Sequence, residues 1–243
     1  EELLTRRTGS ADSLTEPEDL GGTGRSTVMR ARVGENTFSE VRTVVVKAFD
    51  EAEPEQLQRE VASYRYVTAL ASASRPGPQL LAADIDSRIV ILTDLGHGRS
   101  MVELLGEDAA AATRGVSAWG QALGRMHVAT VTGEDDFDAL LRHSVRQGSG
   151  EKSGAGVPGG EVSAQAAAAR AAVDEIAARI DLSVGERLGA ELERGLELFV
   201  DGDYRAFSPS DVGPENIYIN EDGVQFMDYE FGAFRDATLD VAY

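Results

Sequence analysis

Between Phe207 and Glu230 the chain carries a pattern that few folds accommodate. Phe207-Ser208-Pro209-Ser210-Asp211-Val212-Gly213-Pro214-Glu215-Asn216 is rich in turn residues, and the short apolar run Ile217-Tyr218-Ile219 follows it. Asn220-Glu221-Asp222-Gly223 reads as a hairpin turn, and Val224-Gln225-Phe226-Met227 returns to deliver Asp228. Such a hairpin places Asn216 and Asp228 at adjacent strand ends, with Asp211 in the loop before them. A carboxylate that can orient a hydroxyl, beside an amide oxygen and a second carboxylate suited to Mg²⁺, is a set fit for phosphoryl transfer from a nucleotide. A bland alternative is two acidic loop residues and a turn Asn with no metal.

The rest of the chain divides by character near residue 95. Residues 1–20 read as a polar lead-in, and Gly21-Gly22-Thr23-Gly24-Arg25-Ser26-Thr27 as a turn or loop. Thr27 to Val33 alternates in part, and Thr43-Val44-Val45-Val46-Lys47-Ala48-Phe49 is rich in β-branched residues, as strands are. A helix is expected from Pro54 to Leu70, with Leu57, Val61, Tyr64 and Thr68 on one face. Gln79 to Ala83 and Arg88 to Leu92 read as two further strands. Residues 1–95 thus form a small, mostly antiparallel sheet with one helix, and a hinge spans Thr93 to Gly96. Residues 96–243 read as helical, with expected helices at Val102 to Leu105, Ala109 to Val128, Ser163 to Ile180 and Val184 to Val200. Six glycines fall within residues 148–160, so a mobile surface loop is expected over about 147–161.

Several residues of the first unit suit a nucleotide. Gly22 and Gly24 would let backbone amides approach phosphate oxygens, and Ser26 adds a hydroxyl. Thr27 stands where a G-x-G-x-x-G pattern would place its third glycine, so an ordinary hairpin turn explains this stretch equally well. Lys47 ends a run of three valines in a strand expected to be buried, where an ammonium needs an anion. Glu60 sits on the apolar face of the expected helix and is its natural partner. No Walker-type G-x-x-x-x-G-K-[ST] run occurs.

Composition removes other classes. The absence of cysteine excludes disulfides and thiolate zinc sites, and His97, His127 and His143 are scattered. A net charge of −19 repels nucleic acid and anionic membrane surfaces; it reads first as simple solubility and would also attract a cationic small molecule. With no run near 18 apolar residues and no apolar core at the N-terminus, a cytoplasmic chain without membrane association is expected. Oligomeric state is not legible.

Taken together these stretches resemble the aminoglycoside phosphotransferase family of the protein-kinase-like superfamily, through most of the chain. Gly21 to Val33 resembles its glycine-rich hairpin, Val44 to Lys47 its lysine strand, Arg59-Glu60 its R-E helix and Ile91 to Gly96 its hinge. Gly120 to His127 resembles its L-x-x-L-H helix. Ser210 to Ile217 is similar to H-G-D-x-x-x-x-N, Met227-Asp228-Tyr229-Glu230 to I-D-W-E, and Asp236 to Ala242 to D-P-x-x-D-L-A. The resemblance implies an α+β, two-lobed, protein-kinase-like fold that uses ATP and Mg²⁺. It implies that Asp211 orients the acceptor hydroxyl, that Asn216 and Asp228 hold Mg²⁺, and that Lys47 and Glu60 clamp the nucleotide. Backbone groups of Thr93 and Leu95 would meet the adenine. Apart from the resemblance, Ser210 is expected to support the Asp211 loop, and Asp240 is expected either to bond backbone amides of that loop and hold it in shape or to be a surface carboxylate. Two departures stand out: Pro209-Ser210 replaces the usual His-Gly, and relatives commonly continue beyond Tyr243 with further substrate-binding helices.

The expected reaction is transfer of the γ-phosphoryl group of ATP to a hydroxyl of a small molecule. Asp240 follows Asp228 by only twelve positions, too few for a peptide-binding activation segment. The rival readings are a nucleotide-binding module with little or no catalytic activity and a helical interaction protein.

Overall fold

The computed structural model describes residues 1–8, 13–22, 26–34, 41–50, 54–107, 109–148, 158–181, 186–199 and 201–242. Its first unit is a five-stranded antiparallel sheet: β1 (Leu14–Gly21), β2 (Ser26–Val33), β3 (Thr43–Phe49), β4 (Leu80–Asp84) and β5 (Ile89–Thr93), in the order β1-β2-β3-β5-β4. Alternation along β3, the central strand, decides what each face does. Val44 and Val46 point to one face, where Leu4 of α1 (Glu2–Thr8), Ala31, Val33 and Ile91 form a small cluster. Val45 and Phe49 point to the other, toward α2 (Pro54–Ala69). Lys47 shares the face of Val45 and Phe49, which turns it toward α2.

The polar lead-in expected over residues 1–20 is corrected: α1 and β1 occupy most of it. Strand β1 has only a partly buried Leu14 and otherwise exposed residues, so its apolar signal is nearly absent. It is held instead by pairing with β2 and by ion pairs such as Arg30 Nη1 to Glu18 at 2.9 Å.

The helical unit follows with β6 (Gly98–Ser100), α3 (Met101–Leu105), α4 (Ala109–Thr130), α5 (Glu134–Gly148), α6 (Pro158–Arg179) and α7 (Glu186–Glu197). Ser100 caps α3 in a full capping box with Glu103. The expected loop over about 147–161 is corrected at both ends. Helix α5 runs to Gly148 and α6 begins at Pro158, and residues 149–157 lie outside the described residues. Proline suits a first helical turn, whose N–H groups lack intrahelical partners in any case.

The chain closes with β7 (Arg205–Ser208), β8 (Ile217–Asn220), β9 (Gly223–Phe226) and β10 (Ala233–Asp236). β10 pairs with β7, and β6-β8-β9 form a second small sheet. A single hydrophobic cluster joins these strands to the first unit. Leu57, Val61, Tyr64, Tyr66 and Val67 of α2 share it with Met126, Phe137, Phe207, Phe226, Tyr229 and Phe234. Tyr66 meets Phe137, Phe207 and Phe234 with ring centroids 5.1–5.8 Å apart. The boundary expected at residue 95 is therefore crossed by packed core. No helix among the described residues is long and apolar enough to cross a membrane.

Candidate active site

Lys47 lies between Val28 of β2 and Val90 of β5, with 8% of its surface exposed. Its Nζ donates to Glu60 Oε1 at 2.8 Å and to Asp228 Oδ1 at 3.0 Å. Burial disfavours the ammonium, but the two carboxylates outweigh it and raise the Lys47 pKa. Glu60 is fully enclosed. Its carboxyl is raised to about 7: burial is the largest cause and Asp228 and Glu230 add to it, while Lys47 pulls the other way.

Asp228 reaches this cluster from the end of the β8–β9 hairpin. Ile217 pairs with Phe226, and the Met227 N–H donates to the Asn216 carbonyl at 2.9 Å, so Asn216 and Asp228 flank one end of the hairpin. Asn216 Nδ2 donates to the Asp211 carbonyl at 3.2 Å, which brings the Asp211 loop to the same end. Asp228 is left-handed, at φ 60°. Such a conformation costs a non-glycine residue of order 1–3 kcal/mol and recurs at functional sites.

The donors fit a divalent cation. Carboxylate oxygens of Glu60, Asp228 and Glu230 lie within 4.8 Å of one another, and among the described residues Glu60 Oε2 has no hydrogen-bond partner. These are hard oxygen ligands of the kind divalent cations take. Glu230 was not singled out by the sequence; its place two residues after Asp228 was the available signal. Gln56 of α2 donates to Glu230 Oε2 at 2.7 Å.

The expected nucleotide residues fare unevenly. Gly22 is required by the hairpin itself: at φ 150°, a Cβ there would lie 2.1 Å from the Ser26 carbonyl oxygen. Gly24 lies outside the described residues. Ser26 opens β2 opposite Phe49. The Thr93 N–H donates to the Gln79 carbonyl at 2.9 Å, and the Leu95 carbonyl accepts from Asn220 Nδ2 at 2.7 Å. The Leu95 carbonyl thus ties the hinge to β8. Between these two, Asp94 accepts from the Gly96 N–H at 3.0 Å and pairs with Arg30 Nε at 2.9 Å.

The chain superposes on the gentamicin complex of the aminoglycoside phosphotransferase APH(2″)-IIa with a TM-score of 0.55 and 13% identity, over 98% of this chain and 71% of that one. The streptomycin–ATP ternary complex of APH(2″)-IIa gives 0.52 and 14%, over 98% and 73%. Choline kinase from Cryptosporidium parvum Iowa II gives 0.50 and 10%, over 93% and 61%. The fold is that of the protein-kinase-like small-molecule kinases. No protein-family model and no curated protein matches the sequence.

In this kinase-like frame, Asp240 lies in the 3₁₀ turn after β10, 3% exposed, and gathers several donors. His127 Nε2 lies 2.8 Å from Asp240 Oδ2. Oδ1 accepts from Ser208 Oγ at 2.7 Å and from Arg235 Nε at 3.1 Å. The expectation that Asp240 supports the loop by bonding its backbone amides is corrected: no such bond is found among the described residues. The Ser210 N–H donates instead to Ser208 Oγ at 2.8 Å, and Ser208 bridges to Asp240. Ser208 and Arg235 were not assigned roles from sequence. A buried Arg in the short strand Ala233-Phe234-Arg235-Asp236 was the missed signal.

Burial would raise the Asp240 carboxyl, but the bonds to His127, Arg235 and Ser208 outweigh it and hold its pKa below the ordinary carboxylate range. A depressed pKa contributes stability above the unfolded value that is lost as pH falls through the folded one. Asp240→Asn is expected to cost roughly 3–5 kcal/mol at neutral pH, because Arg235 stays buried without its carboxylate. It should also flatten the acid limb of stability below pH about 4 in urea titrations.

Proposed function

We propose that this chain is an ATP-dependent phosphotransferase that moves the γ-phosphoryl group to a hydroxyl of a small molecule. The observation that carries this reading is the buried Lys47, held between Glu60 and Asp228 at the end of the hairpin that also bears Asn216. A desolvated ammonium aimed by two carboxylates is a preorganised anion site. Glu60 is enclosed and fixes Lys47, so Lys47 would meet the α- and β-phosphate oxygens without having to reorganise. Asp228 and Asn216 would hold Mg²⁺, whose charge would neutralise the polyphosphate. Asp211, half-buried in the loop after β7, would orient the acceptor hydroxyl and take its proton.

A small acceptor is supported by what fills the chain between Asp228 and Asp240. β10 is paired along its whole length with β7 and leads directly into the 3₁₀ turn, so no free segment remains to bind a peptide. A net charge of −19 favours a cationic acceptor. The rival, a nucleotide-binding module without turnover, draws on Pro209 standing where the resemblance has His.

Two measurements separate these readings. Mg-ATP at 100 times its dissociation constant should stabilise the protein by about 2.7 kcal/mol, and no thermal shift at millimolar Mg-ATP would sink both. An acceptor screen coupled to ADP release then distinguishes enzyme from module.

A further inference from the structure

Arg235 is a buried guanidinium with no part in the reaction just described. It is 8% exposed and shares one face of the β7–β10 pair with Ser208, which is fully buried. Its Nε donates to Ser208 Oγ at 3.1 Å, and its Nη2 donates to the Ser210 carbonyl at 2.9 Å and also meets Asp240 Oδ1. Ser208 Oγ in turn accepts from the Ser210 N–H at 2.8 Å and donates to Asp240 at 2.7 Å. The hydroxyl thus uses its one proton and both lone pairs. Both polar backbone groups of Ser210 are gripped from below by one buried network.

Ser210 needs such a grip. It sits at φ 72°, a left-handed conformation that glycine adopts freely and serine does not. Asp211 is the next residue, so a relaxation of Ser210 to negative φ would redirect the Asp211 carboxylate. At these positions the resemblance has His-Gly, and this chain has Pro209-Ser210.

We propose that Ser208 and Arg235 are positioning residues for Asp211, which hold Ser210 in its left-handed conformation in place of the absent His-Gly pair. The consequence for rate rests on the phosphotransferase reading; the clamp on Ser210 does not. A residue that only fills space would not discriminate between the two backbone conformations of Ser210, whereas this clamp does.

The test uses the full chain and the variants Ser208→Ala, Arg235→Gln, Ser210→Gly and Ser210→Gly/Arg235→Gln. Hydrogen–deuterium exchange is read without nucleotide. Amides of Ser210 to Gly213 should exchange about tenfold faster in S208A and R235Q, with those of β8 and β9 unchanged. ADP release from ATP, with water as acceptor, should fall about 10²-fold in kcat in both variants, with little change in KM for ATP. Ser210→Gly should restore most of the rate lost in R235Q, because glycine adopts φ 72° without strain and so without the clamp.

Unchanged exchange over Ser210–Gly213, a parallel loss in kcat and KM, or failure of S210G to rescue R235Q each overturns the proposal. S208A leaves Arg235 on Asp240, so the exchange arm still decides should R235Q not fold. A wild type with neither an Mg-ATP thermal shift nor ADP release would defeat the phosphotransferase reading. The exchange data would still decide the clamp.

Discussion

Asp211→Asn is expected to slow phosphoryl transfer by about 10²–10⁴-fold, the contribution of a positioned general base, while leaving ATP affinity unchanged. The local structure makes the substitution clean. The loop is held by the Asp211 carbonyl, which Asn216 Nδ2 engages, and by the grip on Ser210, so its shape does not depend on the Asp211 carboxylate. Asn is isosteric and cannot take a proton. Single-turnover ADP release and nucleotide titration, run on the same preparation, would measure the two effects separately. A comparable loss of ATP affinity would mean that Asp211 shapes the pocket rather than acting on the acceptor.

A loss of stability as large as that of Asp240→Asn is expected from Lys47→Met, and it should depend on pH. Removing one partner from a buried ion pair costs roughly 3–5 kcal/mol when the other is left charged. Glu60 has an escape, because its carboxyl already titrates at about 7 with Lys47 present. Without Lys47, the remaining influences of burial, Asp228 and Glu230 all push it higher. A carboxyl raised in the folded state contributes stability that is fully present below its unfolded pKa and is lost as pH rises through the folded one. The Lys47→Met deficit should therefore be small near about pH 5 and full near about pH 9, as read by urea unfolding. Adding Glu60→Gln should recover much of the alkaline deficit. A deficit independent of pH would show that Lys47 matters for packing alone. Nucleotide affinity should fall at every pH, since the anion site is gone.

Much of this site could be read along the chain. The β8–β9 hairpin, with its turn at Asn220-Glu221-Asp222-Gly223, is local, and so is the placement of Asn216 and Asp228 at its open end. The lysine strand and the helix carrying Glu60 were equally legible, because a charge among valines or on an apolar face is out of place unless paired. Other elements escaped notice. Helix α5 carries Phe137, Leu140, Leu141 and Ser144 at helical spacing, a pattern that was there to be read. Strand β1 offered no such pattern, since nearly all its side chains face water.

Residue order alone determined the β8–β9 hairpin, the lysine strand, the helix of Glu60 and the chemical character of their residues. Turn chemistry, apolar periodicity and misplaced charges act over a few residues, and those are visible without a fold. Tertiary structure decided the partners. Lys47 meets Asp228 across 181 residues, and His127 meets Asp240 across 113. The same packing set Ser208 and Arg235 around Ser210 and wrapped α2 in the core shared by both units. A buried charge must find its counter-charge among whatever groups the packing brings within about 3–4 Å, and sequence spacing carries no record of that distance.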